Sequence, residues 1–127
     1  MLSILVVEDH AIVREPLARL LRLEGYRTLC ASNGNEAIDV LESGAIDLIL
    51  LDLMMPRKDG VTLLEVIRLD PRWKNLPVIV LTGIVEGSQL DRARELSGDE
   101  ILFKSRFTVE ELFERIRHRL AHPGRAA

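Results

Sequence analysis

"LILLDLMMPRKDG", residues 48–60, runs four apolar residues into Asp52 and then into a turn marked by proline and glycine. A continuous apolar run of that length is the pattern of a strand buried on both faces, as in a parallel sheet covered by helices. A carboxylate at the carboxyl end of such a strand is costly unless water, a cation or a partner meets it. The meaning of Asp52 therefore depends on what the rest of the chain brings to the same edge.

Working outward, short apolar runs recur at Ile4–Val7, Ile46–Leu51, Val78–Leu81 and Ile101–Phe103, with a weaker one over Tyr26–Ala31. Between them lie segments with helical spacing. Val13, Leu17, Leu20 and Leu21 share one face, as do Ala37, Ile38 and Leu41, then Leu63, Leu64 and Ile67, and Leu90, Ala93 and Leu96. Val109, Leu112, Phe113, Ile116 and Leu120 give the clearest pattern, in the last helix. Punctuation agrees: Gly25 and Gly44 follow helices, Asn33 and Thr108 suit N-caps, and Pro123 and Gly124 stop the last helix. Pro16 falls inside the first helical pattern, where it should kink the helix or make it start late. The alternation predicts an α/β fold, (βα) five times over, with a parallel sheet covered on both sides. In such sheets ligands bind at the carboxyl ends of the strands, near the topological switch point.

The chain has 127 residues, with 47% hydrophobic and 29% charged, which suits one soluble domain. We expect that domain over residues 1–121 and a frayed tail over 122–127. A net charge of -3 argues against gripping nucleic acid as the main task. The apolar stretches are too short for a membrane span, and the start lacks a basic signal-peptide region, so a cytoplasmic location is expected. Cys30 is the only cysteine, which excludes an internal disulfide and suggests a buried thiol. Trp73 is expected to pack over the loop before the fourth strand. His10, His118 and His122 are read without metal-ligand spacing, with His10 at the surface.

The polar residues at the strand ends then line up. The first strand ends at Glu8-Asp9, the third at Asp52, the fourth at Thr82 and the fifth at Lys104, whereas Ser32 after the second carries no assignment. Glu8-Asp9 could merely cap the first helix, and a lone threonine or lysine at a strand end means little. Together they form a constellation. Two carboxylates ~5 Å apart repel by roughly 3 kcal/mol at an effective dielectric of 20, so three would take up protons or bind a hard cation. Oxygen ligands with room for water favour Mg²⁺, which usually completes its shell with phosphate oxygens. Thr82 and Lys104 can each hold a phosphoryl oxygen. Asp52, projecting alone from its strand, is the nucleophile such a site would use.

The chain resembles a response-regulator receiver domain of the CheY-like kind over essentially its whole length, through "ILVVEDH", "LILLDLMMPRKDG", "PVIVLTG" and the lysine of "EILFK". The resemblance implies a flavodoxin-like sheet in strand order 2-1-3-4-5. It implies that Asp52 accepts a phosphoryl group from the phospho-histidine of a sensor histidine kinase or phosphotransfer protein. Glu8, Asp9, Asp52 and the backbone carbonyl of Met54 would serve the Mg²⁺ site, and Thr82 and Lys104 would ligate the phosphoryl group. Pro56 and Gly60 would shape the loop after the acceptor. Output would leave through the face of the fourth helix, fifth strand and last helix, to a protein partner and without direct contact to nucleic acid or membrane. Met54 and Ile84 would flank the approach of water, and neither can orient it, which implies slow loss of phosphate.

The chain departs from the family pattern in three places. Ser105 replaces the proline that usually follows the lysine, and a trans bond is expected there. Ile101 stands where an aromatic is usual, and Ser97, next to Gly98, where a glycine is usual. A pseudo-receiver, an interaction module that is never phosphorylated, is the alternative reading. A phosphatase is disfavoured because Met54 occupies the place of its second acid/base carboxylate, so the domain is read as a switch and not a turnover enzyme. Dinucleotide binding lacks its glycine-rich loop.

Overall fold

A computed structural model describes residues 1–56, 59–83, 86–97 and 100–122. Ile84, Gly98, Pro123, Gly124 and the rest of the tail, all weighed above, lie outside the described residues. The elements are β1 (Ser3–Val7), α1 (Ala11–Leu23), β2 (Arg27–Ala31), α2 (Gly34–Ser43), β3 (Leu48–Asp52), α3 (Asp59–Leu69), β4 (Val78–Thr82), α4 (Ser88–Ser97), β5 (Ile101–Phe103) and α5 (Val109–Ala121). All strand pairs are parallel, in the order β2-β1-β3-β4-β5. That is the expected doubly wound fold.

Alternation along the strands makes two cores. Leu5, Val7, Ile49, Leu51, Val78 and Val80 face one side, where Ala37 and Leu41 of α2, Leu64 and Ile67 of α3 and Ala93 of α4 cover them. Ile4, Val6, Leu48, Leu50, Ile79 and Leu81 face the other, under Leu21 of α1 and Leu112 and Ile116 of α5. Because β1, β3 and β4 are buried along their whole length, they read as unbroken apolar runs. The chain leaves β1 toward one neighbour and β3 toward the other. Their carboxyl ends therefore border the crevice where the winding reverses.

Caps fix the helices that border this crevice. Asn33 accepts the Glu36 N–H at 2.9 Å, while the Glu36 carboxylate takes the Ser32 N–H and hydroxyl, a reciprocal cap for α2. Thr108 caps α5 in the same way through the Glu111 N–H.

Three expectations need correction. α1 does not start late at Pro16: it begins at Ala11 with the proline in its interior. Pro16 removes the bond to the Ile12 carbonyl, but both residues lie on the outward face, Ile12 being 85% exposed, where water can replace the missing donor. β3 begins two residues later than expected; just before it, Asp47 holds Ser3 twice, its side chain accepting the Ser3 N–H at 2.7 Å and its backbone N–H donating to the Ser3 carbonyl at 2.8 Å. Cys30 is half-buried, on edge strand β2, rather than enclosed in the core. The Lys104–Ser105 bond is trans, as expected. Among the described residues no helix is long and apolar enough to cross a membrane.

Candidate functional site

The turn after β1 is pinned by backbone groups, so that its side chains point into the crevice. The Glu8 N–H donates to the Ala31 carbonyl, and Arg14 Nη1 donates to the Glu8 carbonyl at 2.7 Å. Glu8 is 3% exposed, so its carboxylate is held in a place that water scarcely reaches. Burial, followed by the neighbouring carboxyl groups of Asp52 and Asp9, pushes the Glu8 carboxyl above the usual range. Asp9 Oδ1 is shut off from solvent and accepts no hydrogen bond.

Asp52 is the last residue of β3 and is also 3% exposed. Its Oδ1 accepts the Met54 N–H at 3.0 Å, which fixes the rotamer. The loop beyond is held close by Gly60, where a Cβ would lie 2.7 Å from the Leu53 carbonyl oxygen and 2.8 Å from that of Asp52. Only glycine allows α3 to start against that backbone. Asp59 at the start of α3 accepts the Gly34 N–H at 2.6 Å, tying α3 to α2.

From the other side, Lys104 follows β5 and reaches both carboxylates, its Nζ 3.3 Å from Glu8 Oε1 and 3.4 Å from Asp52 Oδ1. Its backbone N–H donates to the Thr82 carbonyl at 2.8 Å, which locks the end of β5 to the end of β4. Thr82 is fully buried at that strand end. The structure thus brings Glu8, Asp9, Asp52 and Lys104 together and sets Thr82 at the adjoining strand end. An open cleft of about 380 Å³ continues from Asp9 between Ser32, Asn33, Asn35, Met55, Pro56 and Asp59.

The two methionines after Asp52 separate. Met55 is in the core, whereas Met54 is 46% exposed beside the crevice. Two features escaped the sequence reading. His10 is exposed as expected, yet Nδ1 lies 3.2 Å from Asp9 Oδ1 and 3.5 Å from Glu8 Oε2. The signal was available, since His10 directly follows the two acids. The His118 and His122 rings also lie 4.5 Å apart, tilted to one another, one helical turn apart. Second, Ile101 pairs with Val80, so the backbone neighbour of Thr82 in β5 is the aromatic Phe103. Register fixes that, and spacing to the lysine does not show it.

The family profile described as "Response regulator receiver domain" matches residues 4–117. The transcriptional regulatory protein CpxR of Escherichia coli is 41% identical over 117 residues, which is 91% of this chain and 47% of that protein. The response regulator MprA of Mycolicibacterium vanbaalenii is 42% identical over 115 residues, 90% of this chain and 48% of that protein. The chain spans about half the length of these relatives. Among solved structures, the signal receiver domain of a signal transduction histidine kinase from Syntrophus aciditrophicus superimposes with a TM-score of 0.87 at 30% identity, covering 100% of this chain and 96% of that one. The response regulator TrrA of Thermotoga maritima, solved in complex with Mg²⁺ and BeF, gives 0.80 at 36% identity over 93% of this chain and 98% of that one.

Proposed function

The chain belongs to the response regulator receiver domain family, and on that premise we propose that it is a phosphorylation-dependent switch of a two-component system. Asp52 is the acceptor. One of its oxygens attacks the phosphorus of a phospho-histidine on a sensor histidine kinase or phosphotransfer protein, and the P–N bond breaks as the O–P bond forms. The observation that carries this reading is the convergence of Lys104 on Glu8 and Asp52 at 3.3 and 3.4 Å, a cation held where a phosphoryl group would arrive. On arrival Lys104 exchanges these carboxylates for a phosphoryl oxygen, and the Thr82 hydroxyl donates to another. The domain changes state once per phosphorylation and is not a turnover enzyme.

The donor set suits Mg²⁺. Glu8 is pushed toward its protonated form by burial and neighbouring acids, and Asp9 keeps a buried oxygen without a hydrogen bond. Such a cluster calls for a hard cation. Glu8, Asp9, Asp52 and the Met54 carbonyl would hold the ion. When bound, Mg²⁺ supplies positive charge against the phosphoryl oxygens.

We place the working domain at residues 1–121, in the cytoplasm, with output to a protein partner through the α4, β5 and α5 face and no direct contact with nucleic acid or membrane. Intact mass tests the central step. Incubation with acetyl phosphate and Mg²⁺ should add one phosphoryl group to the native protein and none to Asp52→Asn. No addition to the native protein would make it a pseudo-receiver instead.

A further inference from the structure

We infer that His10 is a nitrogen ligand of the divalent-cation site, which turns that site toward borderline transition ions such as Zn²⁺ and Ni²⁺ in competition with Mg²⁺. The inference rests on the cation-site reading above and deepens it.

Glu8, Asp9 and His10 each offer one donor atom, all within 4.8 Å of one another. Around an ion with bonds of about 2.1 Å, neighbouring ligands sit ~3.0 Å apart in an octahedron and ~3.4 Å apart in a tetrahedron. His10 Nδ1 lies 3.2 Å from Asp9 Oδ1 and 3.5 Å from Glu8 Oε2, which are separations of adjacent ligands on one coordination sphere. Asp9 Oδ1 is buried and accepts no hydrogen bond, even from the imidazole at 3.2 Å. A protonated imidazole would pair with these carboxylates, and a neutral one presents its nitrogen at the spacing of a co-ligand.

Glu8 divides its oxygens accordingly. Oε1 faces Lys104, and Oε2 accepts the His10 N–H and faces the His10 ring. His10 begins α1 without a side-chain capping bond, which leaves the ring facing the Glu8 and Asp9 carboxylates. Its side chain is 66% exposed, so an ion can enter from solvent. Imidazole adds little for Mg²⁺, which prefers oxygen, and much for Zn²⁺ or Ni²⁺. The site therefore becomes one at which a trace transition ion displaces the magnesium that phosphorylation would use.

Zn²⁺ and Mg²⁺ titrations by calorimetry test this on a His118→Ala, His122→Ala background, which removes the imidazole pair on α5. His10→Ala should weaken Zn²⁺ binding about tenfold or more and leave Mg²⁺ affinity within about twofold. His10→Asn, a better helix cap without the imidazole, should behave alike and exclude a folding defect. The ring nitrogen of His10 should shift in NMR spectra on adding Zn²⁺ and not on adding Mg²⁺. Equal Zn²⁺ affinity in all three proteins, or equal loss for both ions, would overturn the inference. A Zn²⁺ loss confined to the His10 variants, with no Mg²⁺ binding to any protein, would keep His10 as a ligand and remove the magnesium reading instead.

Discussion

The two edges of the sheet handle polar groups in opposite ways. At the amino edge most polar groups are answered; Arg119 Nε is buried without a hydrogen bond but lies 3.6 Å from Glu100 Oε1, a charge of the opposite sign. The Asp47 carboxylate takes the Ser3 N–H, and the Arg68 guanidinium donates to the carbonyls of Leu96 and Leu76 at 2.7 Å and of Lys74 at 3.3 Å. Arg72 lies over the Trp73 ring at 4.2 Å while bonding Asp70 through two nitrogens. At the carboxyl edge the buried Glu8 and Asp52 share a single lysine, and Asp9 Oδ1 is buried without a hydrogen bond, 3.2 Å from the His10 ring. One edge is arranged for stability. The other holds like charges together, as the phosphoryl and cation site proposed above would require.

If that contrast is right, substitutions that remove charge should have opposite signs at the two edges. Arg68→Ala should cause the largest change. It strips donors from carbonyls in α4 and in the loop before β4, and hydrogen bonds from a charged donor are worth about 1.5–3 kcal/mol each, though not additively. Urea unfolding should show a loss of about 3 kcal/mol. Phosphorylation of the molecules that remain folded should be unchanged. A loss below about 1 kcal/mol would mean that water replaces the guanidinium, and the amino edge would not be the structural one.

Asp52→Asn should do the reverse. The amide still accepts from the Met54 N–H, while one of the crowded negative charges disappears. In the presence of a chelator the variant should be more stable than the native protein by about 1 kcal/mol. Saturating Mg²⁺ should then narrow or reverse that gap, since the native protein gains binding free energy that the variant lacks. A variant less stable than the native protein without metal would show that Lys104 already neutralises the crowding.

Much of this was readable before any coordinates. Strands buried on both faces declare themselves as apolar runs, and the acidic residues, Thr82 and Lys104 stand at the strand ends where those runs stop. What was missed depends on geometry between elements. The cost of Pro16 is set by which face of α1 meets water. The fates of Met54 and Met55 are set by how the loop turns after Asp52. Phe103 becomes the neighbour of Thr82 through cross-strand register, and His10 turns toward Asp9 because the β1–α1 turn is pinned by Arg14. Trp73 packs as expected, but beside β4's amino end, far along the strand from Asp52.

The smallest effect, and the sharpest on the carboxyl edge alone, is the pH dependence that Glu8 should impose. Burial and the acids beside it raise the Glu8 carboxyl above its ordinary value of 4.5. Between that value and the raised one the folded protein holds more proton than the unfolded chain, so stability must fall as pH rises across the interval. Below the interval Glu8 is neutral in both states and imposes no penalty. Above it the penalty is complete and constant. Unfolding of metal-free protein followed from pH 4 upward should therefore show the native protein losing stability relative to Glu8→Gln, then a constant difference once Glu8 is ionised in both states. Gln keeps an acceptor for Lys104, so the lost contact shifts the level of the difference and not its shape. Mg²⁺ should flatten the native profile by competing with the proton for the same oxygens. Parallel profiles for the two proteins without metal would mean that Glu8 feels no net pressure from its neighbours, and the crowding at this edge would then lie with Asp9 and Asp52 alone.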